Sequence, residues 1–154
     1  MTDGPRWWRG GVLYEVYPWS FADSDGDGVG DLRGAIERLD HVARLGADAV
    51  WITPWFPSPM VDGGYDVADY CDIDPKLGSL DQADELIERA HALALKVVID
   101  MVANHSSDQH PWFQEALRAG ADDPARHRYV LRPGRGASGE LPPNNWVCAF
   151  GSSA

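Results

Sequence analysis

The chain has 154 residues, 44% apolar and 24% charged, enough for one ordinary domain with a real core, which makes a disordered chain the poorer reading. Against 24 Asp and Glu stand 13 Lys and Arg, a formal net charge of −11, which disfavours nucleic-acid and anionic-membrane partners and suits neutral or cationic ligands. Two cysteines, Cys71 and Cys148, are too few and too widely spaced for a disulfide framework and read as buried free thiols.

The opening "MTDGPRWWRGG" has no uninterrupted apolar segment, and no apolar run is long enough to span a bilayer, so a soluble cytoplasmic protein is the expectation. Residues 12–18, "VLYEVYP", are β-branched and aromatic and stop at Pro18, predicting a strand. An acidic loop follows. From Asp31 onward Leu32, Ile36, Leu39 and Ala43 mark one face of an amphipathic helix that closes near Gly46. "DAVWIT", residues 48–53, predicts a second strand, and residues 54–78 a long loop rich in Pro, Gly and Asp. Ser79 and Gln82 form a capping box that opens a helix with Leu80, Ala83, Leu86, Ile87 and Ala90 on one face, and "KVVID", residues 96–100, is a third strand. Strands that are nearly continuous apolar runs, alternating with helices, predict an α/β fold with a parallel sheet covered on both faces. Beyond Asn104 a short helix over residues 112–119 precedes the irregular, Gly- and Pro-rich "RPGRGASGELPPNN".

Three stretches carry chemistry. In "FADSDGDGVGDLRG", counting Asp23 as position one puts carboxylates at positions one, three, five and nine, Gly28 at the turn and the Val29 carbonyl at seven, an oxygen cage for a hard cation. It is not an EF-hand, because Gly34 occupies the twelfth position, where a bidentate Glu would stand, and the segment before the loop reads as a strand. The other two stretches are "VDGGYDVADY", residues 61–70, after the second strand, and "DMVANH", residues 100–105, at the end of the third. Parallel α/β folds gather binding groups at the C-terminal strand ends, so the two predict a pocket at one sheet edge. Asp62, Tyr65 and His105 can each exchange hydrogen bonds there with a polyhydroxylated ligand. Singly, each residue favours a plainer reading: Asp62 as a turn residue beside Gly63, Tyr65 as a core aromatic and His105 as a structural histidine. The seven tryptophans, Trp7, Trp8, Trp51 and Trp55 among them, read as core packing rather than sugar platforms.

Taken together, "VLYEVYPWSFADSDGDGVGDLRGAIERLDHVARLGADAVWITP", "GYDVADYCDIDPKLGSLDQADELI", "DMVANHSSDQHPWF" and "PNNW" resemble the α-glucosidase and oligo-1,6-glucosidase branch of the α-amylase superfamily. The resemblance implies an N-terminal portion of a (β/α)8 barrel over residues 1–104, its first three strands, and the start of an inserted B domain over 105–154. It implies a structural Ca²⁺ or Mg²⁺ on Asp23, Asp25, Asp27, the Val29 carbonyl and Asp31. Asp62, Tyr65 and His105 would hold a terminal glucose of an α-glucoside such as maltose or isomaltose, with Asp100 and Asn104 in support. The family's reaction is retaining hydrolysis with a carboxylate nucleophile and a carboxylic acid/base; both would lie beyond Ala154, so this chain alone is expected to be inactive. A maltose-to-trehalose glucosyl-transferring isomerase is the near alternative, from which "PNNW" tilts towards the hydrolase. A non-catalytic metal- or sugar-binding module is the distant one.

Overall fold

β1 (Leu13–Val16) leads through a short helix, α1 (Pro18–Phe21), and the aspartate loop into α2 (Leu32–Arg44); β2 (Ala49–Ile52), α3 (Leu80–Ala92) and β3 (Lys96–Ile99) follow. These elements come from a computed structural model that describes residues 6–147, so Cys148 and the terminal "FGSSA" lie outside the described residues. Pro18 does not close the strand as expected. β1 ends at Val16 and Pro18 instead starts α1, where its missing N–H costs nothing.

The strands pair in parallel in the order β1-β2-β3, with Tyr14, Val50 and Val97 in one row and Val16, Ile52 and Ile99 in the next row on the same face. Val16, Val50 and Ile52 are fully buried with Leu32, Leu39, Val42 and Leu86 from the two helices, and this is the core. The intervening row, Glu15, Trp51 and Val98, points to the opposite face, where Glu15 is exposed. Both helices therefore lie on one face, which corrects the expectation of a sheet covered on both. Because spatial order follows chain order, and parallel crossovers as a rule share one hand, successive helices land on the same side; covering both faces requires the strand order to reverse. The helices are tied side by side by a bidentate Arg33–Glu85 pair (2.6 and 2.7 Å) and by Arg89 to Asp40 (2.6 Å).

Local chemistry sets the helix ends where the sequence puts them. Asp31 accepts the Gly34 N–H at 2.6 Å to cap α2, and the Gly46 N–H reaches the Ala43 carbonyl (3.0 Å) to finish it. Ser79 Oγ accepts the Gln82 N–H (3.4 Å) at the start of α3, whose buried face is Ala83, Leu86 and Ala90; Leu80, expected on that face, is exposed because the first helical residue still points past the core.

Two further expectations fail. Trp7 and Trp8 are exposed in a 3-10 turn (Trp7–Arg9) ahead of β1, packed edge-on against each other at 6.2 Å rather than under the sheet, whereas Trp55 is buried as expected. Cys71 is a free but exposed thiol in the long loop.

The chain forms two compact units, Met1–His110 and Pro111–Ala154. In the second, α4 (Pro111–Arg118) packs with a 3-10 turn (Pro124–Arg128) through buried Ala116 and Ala125 and an edge-on Phe113–Tyr129 pair at 5.2 Å. Arg128 lies over the Trp112 ring and pairs with Glu115. No helix among the described residues is long and apolar enough to cross a membrane.

Candidate functional site

Parallel pairing brings the loops after β2 and β3 to the same sheet edge, and hydrogen bonds join them along their length. Tyr65 donates its phenol to Asp100 Oδ2 (2.9 Å), and the single Tyr70 O–H is shared between the carbonyls of Val102 and His105 (both 2.8 Å). The Ser107 N–H closes the seam on the Val67 carbonyl (2.8 Å). Asp100 is held from behind because its N–H continues the ladder onto Ile52 (3.0 Å). Tyr65 and Asp100 are thus brought into direct contact, and His105 is anchored through its backbone to the same loop. His105 Nδ1 also sits 3.2 Å from Asn104 Nδ2, and both side chains are exposed.

Burial, then the Asp100 hydrogen bond and charge, then Glu15 and Tyr17, push the Tyr65 phenol up to about 12. The phenol therefore stays protonated at neutral pH and acts as a donor. The Asp62 carboxylate is half-buried and makes no hydrogen bond among the described residues, leaving all its lone pairs for a ligand.

What aims Asp62 is a residue that sequence reading passed over. Asp66 accepts the Ser58 hydroxyl (2.7 Å), the Val61 N–H (2.9 Å) and the Asp62 N–H (3.1 Å). Burial alone would raise its pKa, but these three donors outweigh it and hold the carboxyl below its ordinary range. The turn it organises includes Met60 at φ +61°, a left-handed conformation that non-glycine residues seldom adopt. Tyr17 closes the same turn by donating to the Gly63 carbonyl (3.2 Å). Aspartate within an irregular loop gives no periodic signal; the pairing of "GYD" with a serine eight residues earlier was the available hint.

At the other end of α1, oxygen atoms of Asp23, Asp25 and Asp27 lie within 4.8 Å of one another. The loop folds through Gly26 and Gly28, at φ +85° and +92°, so that their N–H groups reach Asp23 at 2.6 and 2.8 Å. The N–H groups of Gly28 and then Gly26 lower the Asp23 pKa from its ordinary value. Three carboxylates this close, on a glycine-turned loop, could hold a hard oxygen-seeking cation. Asp31 is placed differently: Oδ1 caps α2 while Oδ2 accepts the Ser24 N–H and hydroxyl, both at 2.9 Å.

Consecutive parallel β/α units with carboxylate, phenol and imidazole at the C-terminal strand ends are the build of a β/α-barrel protein. The family model "Alpha amylase, catalytic domain" matches residues 15–154, and the chain belongs to that family. It is 51% identical over its whole length to the trehalose-6-phosphate hydrolase of Escherichia coli (strain K12), covering 27% of that protein. Across 97% of the chain it is 45% identical to an oligo-1,6-glucosidase of Bacillus cereus, covering 26% of it. Among solved structures, the alpha-glucosyl transfer enzyme XgtA superposes with a TM-score of 0.90 at 52% identity, over 96% of this chain and 27% of that one. The chain therefore spans about a quarter of the length of these relatives and forms part of a (β/α) barrel.

Proposed function

We propose that these residues build the rim that grips the terminal glucose of an α-glucoside in a retaining α-glucosidase, and that the bond-breaking carboxylates lie outside them. The observation that carries this reading is the Tyr65–Asp100 hydrogen bond, 2.9 Å, which locks the loop bearing Asp62 to the end of β3. In this account Asp62 accepts hydrogen bonds from two sugar hydroxyls, Tyr65 presents its ring and phenol beside the sugar, and His105 donates from its outer nitrogen. Asp100 and Asn104 orient Tyr65 and His105. Retaining hydrolysis needs a nucleophilic carboxylate and an acid/base about 5–5.5 Å apart across the scissile bond. Asp100 is engaged by Tyr65 and Asp62 grips hydroxyls, which leaves neither for that pair. Maltose and isomaltose are the substrates this reading favours, because both offer a terminal α-glucose.

We also infer a structural Ca²⁺ or Mg²⁺ held by Asp23, Asp25 and Asp27, with the Val29 carbonyl and Asp31 as further ligands. Such an ion would cancel the repulsion among the aspartates and fix the loop ahead of α2. The exposed free thiol of Cys71 suits a reducing compartment, which supports a cytoplasmic setting.

The test uses the purified chain with maltose, isomaltose and a chromogenic α-glucoside. Saturable sugar binding that Asp62→Ala abolishes, with no turnover above buffer, is the expected result. Turnover, or binding indifferent to Asp62, contradicts the proposal.

A further inference from the structure

The second unit carries a charge distribution opposite to that of the chain. Residues 124–139 contain four arginines and a histidine without one carboxylate, in a protein of net charge −11. Two of those arginines are already engaged: Arg128 pairs with Glu115 across the Trp112 ring, and Arg135 donates from Nε to the Pro142 carbonyl (2.9 Å). The other two, Arg126 and Arg132, line one cavity of about 360 Å³ together with His127, Tyr129, Leu131 and Pro133. Among the described residues neither pairs with a carboxylate. Arg126 spends one N–H on the Ala116 carbonyl (3.3 Å) and Arg132 one on the Leu131 carbonyl (3.2 Å). Those bonds position the guanidinium groups without neutralising them, so most of their donors stay available. Asp123, the nearest acid before the turn, is directed to the Ala125 N–H (2.8 Å).

We propose that this cavity is a binding site for a small phosphate-bearing anion. Two guanidinium groups lining one concavity offer the paired N–H donors that a phosphate accepts. A volume of about 360 Å³ admits a phosphate monoester and is too small for a polymer. The site lies wholly within the second unit and does not depend on the glucose rim proposed above.

Calorimetric titration of the intact chain with inorganic phosphate, glucose 6-phosphate and glucose tests it. Saturable binding of both phosphates and none of glucose at this site is expected, with affinity falling as salt rises. Arg132 is exposed, so Arg132→Ala should fold, and it should weaken phosphate by about tenfold or more. Arg128→Ala removes the same charge outside the cavity and should change affinity by less than about twofold. Binding of glucose 6-phosphate without inorganic phosphate would assign the sugar, not the phosphate, as the ligand and overturn the proposal. Equal losses in the two variants, or no saturable phosphate binding, would overturn it as well.

Discussion

Asp66 illustrates how much one half-buried carboxylate can decide. Its Oδ1 serves Ser58 and the Asp62 N–H while Oδ2 serves Val61, so Asp66→Asn must turn its amide nitrogen toward at least one N–H or O–H donor. A fully buried unsatisfied donor costs about 1–3 kcal/mol, and on this half-buried turn solvent reduces that loss. The expected outcome is a chain that still folds, with a lower melting temperature and sugar affinity reduced by about tenfold, because Asp62 loses its backbone anchor. Unchanged affinity in a folded Asp66→Asn would separate the turn from the site. Tyr65 makes a second, spectroscopic prediction. Its folded-state pKa is raised from 10.0 to about 12, so the stabilisation from its bond to Asp100 is complete below the ordinary phenol value and is lost as pH rises through about 12. Ultraviolet titration should find one tyrosine ionising near that upper value, and Tyr65→Phe should remove that step. For Asp23 the sign is reversed: with its pKa lowered, its bonds to Gly26 and Gly28 persist above the ordinary carboxylate range and fail as pH falls through the lowered value.

At the scale of the elements, α2 depends on a close approach as much as on its caps. A Cβ at Gly34 would lie 2.7 Å from the Ala22 carbonyl carbon, part of the backbone and unable to swing aside. Helix propensity favours alanine over glycine by about 1 kcal/mol, whereas overpacking against backbone costs about 1–3 kcal/mol or more. The clash wins, and Gly34→Ala should lower stability by about 2 kcal/mol in a urea unfolding curve. A stabilised variant would mean that α2 can slide away from the loop. That same loop carries the aspartate cluster, and calorimetry should detect one bound divalent ion that raises the melting temperature, with Asp25→Ala weakening it; no binding heat in the unaltered chain would remove the ion from the account. Strands and long helices were readable from the sequence because periodicity and caps are local: Asp31, Gly46 and Ser79 each act within four residues. Leu80 is the exception for the same reason: spacing places it on the buried face, whereas the first turn projects beyond the packed layer.

Across the whole molecule, the readings that failed needed non-local information. Whether α2 and α3 share a face depends on crossover handedness combined with strand order, and composition carries neither. The net charge of −11 is a sum, and it concealed the arginine-bearing cavity in the second unit. Two loops at strand ends point to Asp62, Tyr65 and His105, the family resemblance adds Asp100 and Asn104, and the seam between those loops joins Tyr65 to Asp100. Tyr70 and Asp66, which hold that seam and its turn, were missed because their partners lie up to 35 residues away or in aperiodic chain. The most direct measurement is a nuclear magnetic resonance titration of the isotope-labelled chain with methyl α-glucoside. Saturable shifts should be confined to the amides around residues 62–66 and 100–105, with the sugar recovered intact. Saturation without shifts in those two segments, or shifts centred elsewhere, would contradict it.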